Sequence, residues 1–431
     1  MNRHSSPCLW GAVAQSSPAP CDRYKHTCCA HSNHVYLLGG REKSILSDFW
    51  RYNVVSNEWT ELDCGSDDAP DELEEHTMVL HQGVLYVFGG MIDSAYTDEK
   101  TPLWLYDIDK EQWMHLQGKD SKSAVPVNRK GHSAVVFGDA MHVYGGYIDM
   151  KGSSQEFWTF NFDTREWALL ASTLGDGGPG PRHSHSAMVY QDGMYLYGGL
   201  MGLREQSDFW KWSFCGQSWS SIKSLTGPSK LVGHSAIVYK DGMLLFGGGE
   251  TQNFPKNILW RYSFTAETWE KLTTLTDSSP PSRIYHCSTG LGVSFQAQAS
   301  RAPFPGQSPS ARAKHNSLKL RPFKNRCFPS KSYSDWIELD TFHTESNKTE
   351  TPGYNNICHT EDSQFYQHPL QTSCLTFTNR EALTDDSSCD CLSKPEDSMV
   401  AHLPDLLLVL GGRPLTGQSS ISVWQLTMAE L

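Results

Sequence analysis

The chain has 431 residues, a formal net charge of −12 and a pI near 5.8, so an acidic surface argues against nucleic acid as its main partner. No apolar run approaches the roughly 18 residues of a membrane span, and the first residues lack the apolar core of a secretory signal. No membrane is expected as a partner, and the expected location is the cytoplasm, with the nucleus as a second compartment and the 12 cysteines reduced.

From the N-terminus onward one pattern recurs. A His is followed thirteen residues later by a glycine pair: His26 with Gly39 and Gly40, His76 with Gly89 and Gly90, His132 with Gly145 and Gly146, His185 with Gly198 and Gly199, His234 with Gly247 and Gly248. An aromatic then precedes a Trp by seven positions: Tyr52 and Trp59, Tyr106 and Trp113, Phe160 and Trp167, Trp212 and Trp219, Tyr262 and Trp269. A further Trp stands two residues before each aromatic, at Trp50, Trp104, Trp158, Trp210 and Trp260. With the chain ends included, 12 of the 14 tryptophans fall in these two columns, which marks a true internal repeat.

The period of 50–54 residues suits a four-stranded unit better than a helical hairpin. Strand-like runs such as HSAMVY and GMYLYGG are joined through Gln191-Asp192-Gly193, and HSAIVY and GMLLFGG through Lys240-Asp241-Gly242, where Asp-Gly predicts a tight hairpin. The glycine pair ends the second strand where a neighbouring backbone approaches or the chain turns sharply. The Tyr and Trp columns supply large apolar surfaces for packing one twisted sheet on the next.

These residues resemble the kelch repeat, whose hallmarks are a glycine pair followed by an aromatic, six residues and a Trp. The resemblance covers residues 10–291 and 405–431 and implies an all-β, six-bladed β-propeller. The sixth unit begins at Arg283 and His286, yet its pair, Gly411 and Gly412, lies 125 residues past His286 where 13 is usual. About 112 residues are therefore inserted between its first two strands. Trp424 takes the inner Trp column and Leu426 stands in for the aromatic, but the chain stops before the closing Trp. Trp10 supplies it: CLWGAVA is expected to be the outer strand of the last blade, closing the ring and removing exposed edges.

Three regions follow: 1–291, five blades with the start of the sixth and the closing strand; 292–404, a polar insertion; and 405–431, the rest of blade 6. The insertion is Ser, Thr, Pro and Asn rich and segregates its charge, so it is expected to be disordered. Within it, the basic run at residues 314–326 reads as a solvated stretch before a nuclear-import or anion patch. Cys358, His359, Cys374, Cys389 and Cys391 have no usual zinc spacing. The stretch from Pro369 to Cys374, with residues 403–407, partly resembles the elongin-binding and cullin-selecting boxes of ubiquitin ligase receptors.

No phosphate loop, paired-carboxylate motif or nucleophile elbow appears, so no enzyme, cofactor or metal is expected. The His column is read as structural, its members spread around a ring rather than converging. In kelch propellers partners commonly dock on the face built from two loop sets. Carried onto this sequence, the loops after the glycine pairs offer Arg41, Met91, Tyr147, Leu200, Met201 and Arg413, with Ile92, Tyr96, Leu203 and Phe254 as further apolar members. The segments leading into each first strand offer Arg23, Tyr24, Arg129, Lys130, Arg182, His183 and Arg283. Arg three residues before the His in four of six units reads as a basic mouth for an acidic or phosphorylated peptide, or as a brace between blades. The expectation for the first case is that Arg182→Glu with Arg129→Glu abolishes partner capture without lowering the melting temperature.

The resemblance thus implies a non-catalytic protein-binding module, an adaptor or scaffold. Only nine residues precede Trp10, so an N-terminal BTB or F-box domain is not expected. The alternative is a substrate receptor of a cullin-type ubiquitin ligase, with ligase components as partners.

Overall fold

The computed structural model describes residues 9–91, 102–116, 124–171, 177–274, 278–295 and 404–428. The described residues form six four-stranded antiparallel sheets, ordered as six blades. Blade 1 is Thr27–His31, His34–Arg41, Ile45–Asn53 and Glu58–Leu62; blade 2 is Thr77–His81, Val84–Phe88, Leu103–Asp107 and Gln112–His115. Blade 3 is Ser133–Phe137, Ala140–Tyr144, Phe157–Asn161 and Glu166–Ala171; blade 4 is Ser186–Tyr190, Gly193–Tyr197, Phe209–Ser213 and Ser218–Ile222. Blade 5 is Ser235–Tyr239, Gly242–Phe246, Leu259–Ser263 and Thr268–Leu272, and blade 6 is Cys287–Leu291, Leu406–Leu410, Val423–Thr427 and, from the other terminus, Trp10–Val13. The inner hairpins turn one residue earlier than Asp-Gly suggests. Gly193 pairs with Tyr190 and Gly242 with Tyr239, and positive φ falls on Gln191 and Lys240.

At the hub the blades are joined by a closed circle of backbone hydrogen bonds, each from the residue just before a repeat histidine. Lys25 N–H donates to Tyr285 O, Glu75 to Lys25, Gly131 to Glu75, Ser184 to Gly131, Gly233 to Ser184 and Tyr285 to Gly233, at 2.7–3.0 Å. All six residues have φ between 54° and 63°. A second contact joins each blade to the next: the N–H of the second glycine donates to the carbonyl three residues before the next histidine. The acceptors are Leu73, Arg129, Arg182, Leu231, Arg283 and Arg23, at 2.8–2.9 Å. The pairs must be glycine because φ is positive and space is absent. A Cβ on Gly40 would lie 2.7 Å from the His26 Cβ, and one on Gly89 would lie 2.5 Å from the Arg129 carbonyl.

The histidines lie across the blade junctions. A hydroxyl of the preceding blade meets the ring Nε2 in four of them: Thr77 with His132, Ser133 with His185, Ser186 with His234 and Ser235 with His286, at 2.8–2.9 Å. All six rings are buried, and burial lowers their basicity: His76, His234 and His286 to about 3, with His26, His132 and His185 also well below the ordinary value.

Arg23, Arg129 and Arg182 are fully buried and Arg283 is 3% exposed, which overturns the basic mouth. Each of the first three grips an acid of its own blade, standing two residues before the inner Trp. Arg23 is bidentate to Asp48 (2.5 and 2.7 Å), Arg182 to Asp208 (2.7 and 2.8 Å), and Arg129 holds Glu156 at 2.7 Å. The same acids accept from the Nε1 of Trp50, Trp210 and Trp158. The guanidinium also bonds the carbonyl of the first glycine, Gly39, Gly145 or Gly198. Blades 2 and 5 carry buried Leu73 and Leu231 instead of the arginine, with Pro102 and Ile258 instead of the acid. Blade 6 keeps Arg283 but has Ser422 at the acid position, and the arginine bonds the Pro414 carbonyl.

Blade 6 closes as expected. Trp10 pairs with Leu426, the register of Tyr52 with Trp59 and Tyr106 with Trp113. Its ring lies 5.3 Å from that of Phe246 in blade 5, as Trp113 lies 5.1 Å from Phe49 and Trp167 5.1 Å from Phe88. Blade 1 also holds the returning chain: Trp59 Nε1 donates to Gln15 Oε1 at 2.6 Å and Asn57 Nδ2 to Ala14 O at 3.0 Å. Leu407 lies within a buried strand, so the end of the cullin-like pattern is not helical. The basic run, the cysteine cluster and the elongin-like box lie outside the described residues.

Trp10→Ala empties the rim contact between blades 5 and 6 and is expected to cost about 3–5 kcal/mol in urea unfolding. The exposed Leu9→Ala is expected to stay within about 0.5 kcal/mol of wild type. Arg182→Glu sets an acid against Asp208 and is expected to lower stability by about 3–5 kcal/mol, read as a fall in melting temperature. The unfolded imidazoles take up protons near pH 6.5 whereas the folded ones resist until far lower pH. Stability is therefore full above about pH 6.5 and falls as pH drops toward 3, by up to about 1.4 kcal/mol per pH unit for each ring. Urea midpoints measured down this range read that slope, and a flat profile would mean the rings are already charged in the fold.

Candidate functional site

The two loop sets meet in pairs around the hub. Each blade places the segment before its histidine against the segment after its own glycine pair, by the bridges Tyr24 with Arg41, Leu73 with Met91, Lys130 with Tyr147, His183 with Leu200, Val232 with Gly249 and Ile284 with Arg413. Blades 3 and 4 raise small hairpins there, Tyr147–Ile148 with Gly152–Ser153 and Leu200–Met201 with Arg204–Glu205. Blade 5 raises a loop pinned by the Gly249 bridge to Pro255.

The tips of these three neighbouring loops are apolar and open to solvent: Met150 is 97% exposed, Leu203 96% and Phe254 67%. Tyr147 is also exposed and sets its ring edge-to-face on His183, 5.6 Å away. Leu200, expected as a contact, is buried beneath its hairpin, while Met201 is half-buried. Ile92 and Tyr96 lie outside the described residues.

The opposite arc, over blades 1 to 3, is charged and internally paired. Glu74 is 5% exposed and accepts from Arg41 at 2.7 Å, with Lys130 at 3.5 Å and Lys25 at 3.8 Å. Burial alone would raise its carboxyl, but the Arg41 hydrogen bond and the Lys25 and Lys130 charges hold it below the usual range. Lys25 reaches Glu75 at 2.5 Å and lies 5.5 Å from the Tyr285 ring centre. Arg41 and Lys130 are therefore committed within the protein, whereas the side chain of Arg413 is exposed.

At the centre Lys25, Glu75, Ser184 and Tyr285 surround a cavity of about 150 Å³ whose walls include all six repeat histidines. The histidines line this one cavity because each first strand starts at the hub, and they stand around it one per blade. Burial nevertheless holds all six rings neutral, and hydroxyls at the junctions engage His132, His185, His234 and His286. Burial raises the Tyr285 phenol and lowers His183. Among the described residues no group of three or more His, Cys, Asp or Glu is arranged to hold a metal ion.

Sequence reasoning missed two columns. The residues just before each histidine, Lys25, Glu75, Gly131, Ser184, Gly233 and Tyr285, share no side-chain chemistry; what repeats there is the backbone. The acids Asp48, Glu156 and Asp208 had a legible signal. They stand two residues before the inner Trp in units that also carry Arg, and apolar residues replace both partners together in blades 2 and 5.

Residues 4–123 and 97–297 match the family model described as the KLHDC2/KLHL20/DRC7 Kelch-repeats domain. Among similar proteins, the putative protein tag-53 of Caenorhabditis elegans is 28% identical over 210 residues, which are 46% of this chain and 16% of that protein. Host cell factor 2 of Homo sapiens is 27% identical over 238 residues, 46% of this chain and 29% of that protein. Kelch domain-containing protein 10 of Xenopus tropicalis is 25% identical over 229 residues, 52% of this chain and 55% of that protein. The chain thus spans about half or less of the length of these relatives. Kelch propellers are in general a non-catalytic interaction fold, and with its repeats, hub and closing strand this chain belongs to the Kelch-repeat family.

Proposed function

We propose that this propeller is a non-catalytic adaptor that holds a segment of a partner protein on its hub-side face, across the loops of blades 3 to 5. The observation that carries this is the row of exposed apolar tips, Met150, Leu203 and Phe254, on three successive blades beside the Tyr147 ring. Large apolar side chains exposed together on one face mark an interaction site. Each contributes roughly 1.5–3 kcal/mol when buried, about 4.5–9 kcal/mol for the three, so they anchor a segment whose remaining contacts must offset the cost of association. With the four arginines buried, the acidic or phosphorylated peptide loses its main support, and the partner segment is read as predominantly apolar. The paired charges over blades 1 to 3 would flank it without giving up their own contacts.

The variant Met150→Ser, Leu203→Ser, Phe254→Ser changes only exposed tips. It is expected to keep the wild-type melting temperature and to lose at least about tenfold in affinity for partners captured by the wild-type protein. Val55→Ser, a 57% exposed residue in the turn of the outer blade 1 hairpin, serves as control. Equal recovery of the same partners by both variants would move the site elsewhere. Recovery of cullin or elongin subunits with the wild-type chain would favour the ligase-receptor alternative.

A further inference from the structure

The junction where blade 6 meets blade 1 departs from four of the other five. At four junctions the residue after one blade's histidine is a hydroxyl bonded to the histidine of the next blade. At the closing junction that residue is Cys287, and His26 lacks the hydroxyl partner. Burial, together with the neighbouring thiol of Cys28 on the first strand of blade 1, pushes the Cys287 thiol up. Both thiols are free, half-buried and packed against one apolar cluster that includes Val35, Leu410 and Val423. Their strands, Thr27–His31 and Cys287–Leu291, start side by side because Lys25 N–H bonds Tyr285 O at 2.8 Å.

We propose that Cys28 and Cys287 are an oxidisable thiol pair whose disulfide staples the first blade to the last. The oxidant is a peroxide. One sulfur, as its thiolate, takes an oxygen from hydrogen peroxide, which leaves as water, and becomes a sulfenic acid. The second thiol's sulfur then displaces that oxygen as a second water, and the S–S bond forms with two electrons gained by the peroxide. Burial holds the Cys287 thiol well above its ordinary range, so it reacts slowly in the closed ring. The product constrains a loop of roughly 260 residues in the unfolded chain and holds the hub circle independently of Trp10–Val13.

The test uses the full chain, treated with increasing hydrogen peroxide, then denatured, alkylated, digested and sequenced by mass spectrometry. Exposed Cys215 serves as the internal gauge of oxidation. The expected product is a peptide pair linked through Cys28 and Cys287, with a melting temperature several degrees above the reduced protein that returns on adding dithiothreitol. Cys287→Ser restores the hydroxyl found at Ser133, Ser186 and Ser235, so it is expected to fold with no loss of melting temperature. It should show neither linkage nor rise, and Cys28→Ser should behave likewise. The inference is overturned if both thiols remain alkylatable after Cys215 is fully oxidised. It also fails if Cys28 is found linked to Cys21 or Cys29, or if the linked protein melts no higher than the reduced one.

Discussion

A circle of six backbone hydrogen bonds at the hub constrains everything else in this protein. Each bond is modest, about 0.5–1.5 kcal/mol net, but the circle closes on itself and so forces six strands to start at one level and one radius. That requirement explains the positive φ of Lys25, Glu75, Gly131, Ser184, Gly233 and Tyr285, and the freedom of their side chains. It also explains the glycine pairs. Strands held this close at the hub leave no space for a Cβ between one blade's second strand and the next blade's histidine. At the rim the N-terminal strand completes the last blade by pairing with Val423–Thr427.

Stability and recognition are separated in this architecture. Columns that repeat (His, the glycine pair, Arg or Leu, Trp) spend their side chains inside the frame, within their own blade or against the neighbouring one. Arg23, Arg129 and Arg182 carry charge yet present none of it to a ligand, because Asp48, Glu156 and Asp208 accept it inside each blade. What does not repeat is the loop after the glycine pair. There blades 3, 4 and 5 hold Met150, Leu203 and Phe254 in solvent. An interaction face made of non-repeated loops on a repeated frame lets binding change without disturbing the hub.

Much of the frame was legible in the sequence because spacing alone identifies equivalent positions. The thirteen-residue step from His to Gly-Gly, and Trp10 answering Leu426, sufficed to place every blade and the closing strand. Spacing does not say which way a repeated side chain points, and there the reading failed. The arginines looked like a mouth because they sit in loops, yet those loops turn inward and the guanidinium threads beneath the first glycine. The histidines do stand one per blade around the ring, and what spacing could not show is that all six line one cavity. Leu200 and Leu203 are neighbours in one hairpin, and only the pairing of Leu200–Met201 with Arg204–Glu205 shows which is roof and which is tip.

The most direct test of the account is native-state hydrogen exchange at the six hub amides. If the circle is a single closed unit, the N–H groups of Lys25, Glu75, Gly131, Ser184, Gly233 and Tyr285 exchange together, at the slow rate set by global unfolding. Fast exchange of Lys25 and Tyr285 while the other four stay protected would show a ring that opens between blades 6 and 1, and would contradict it.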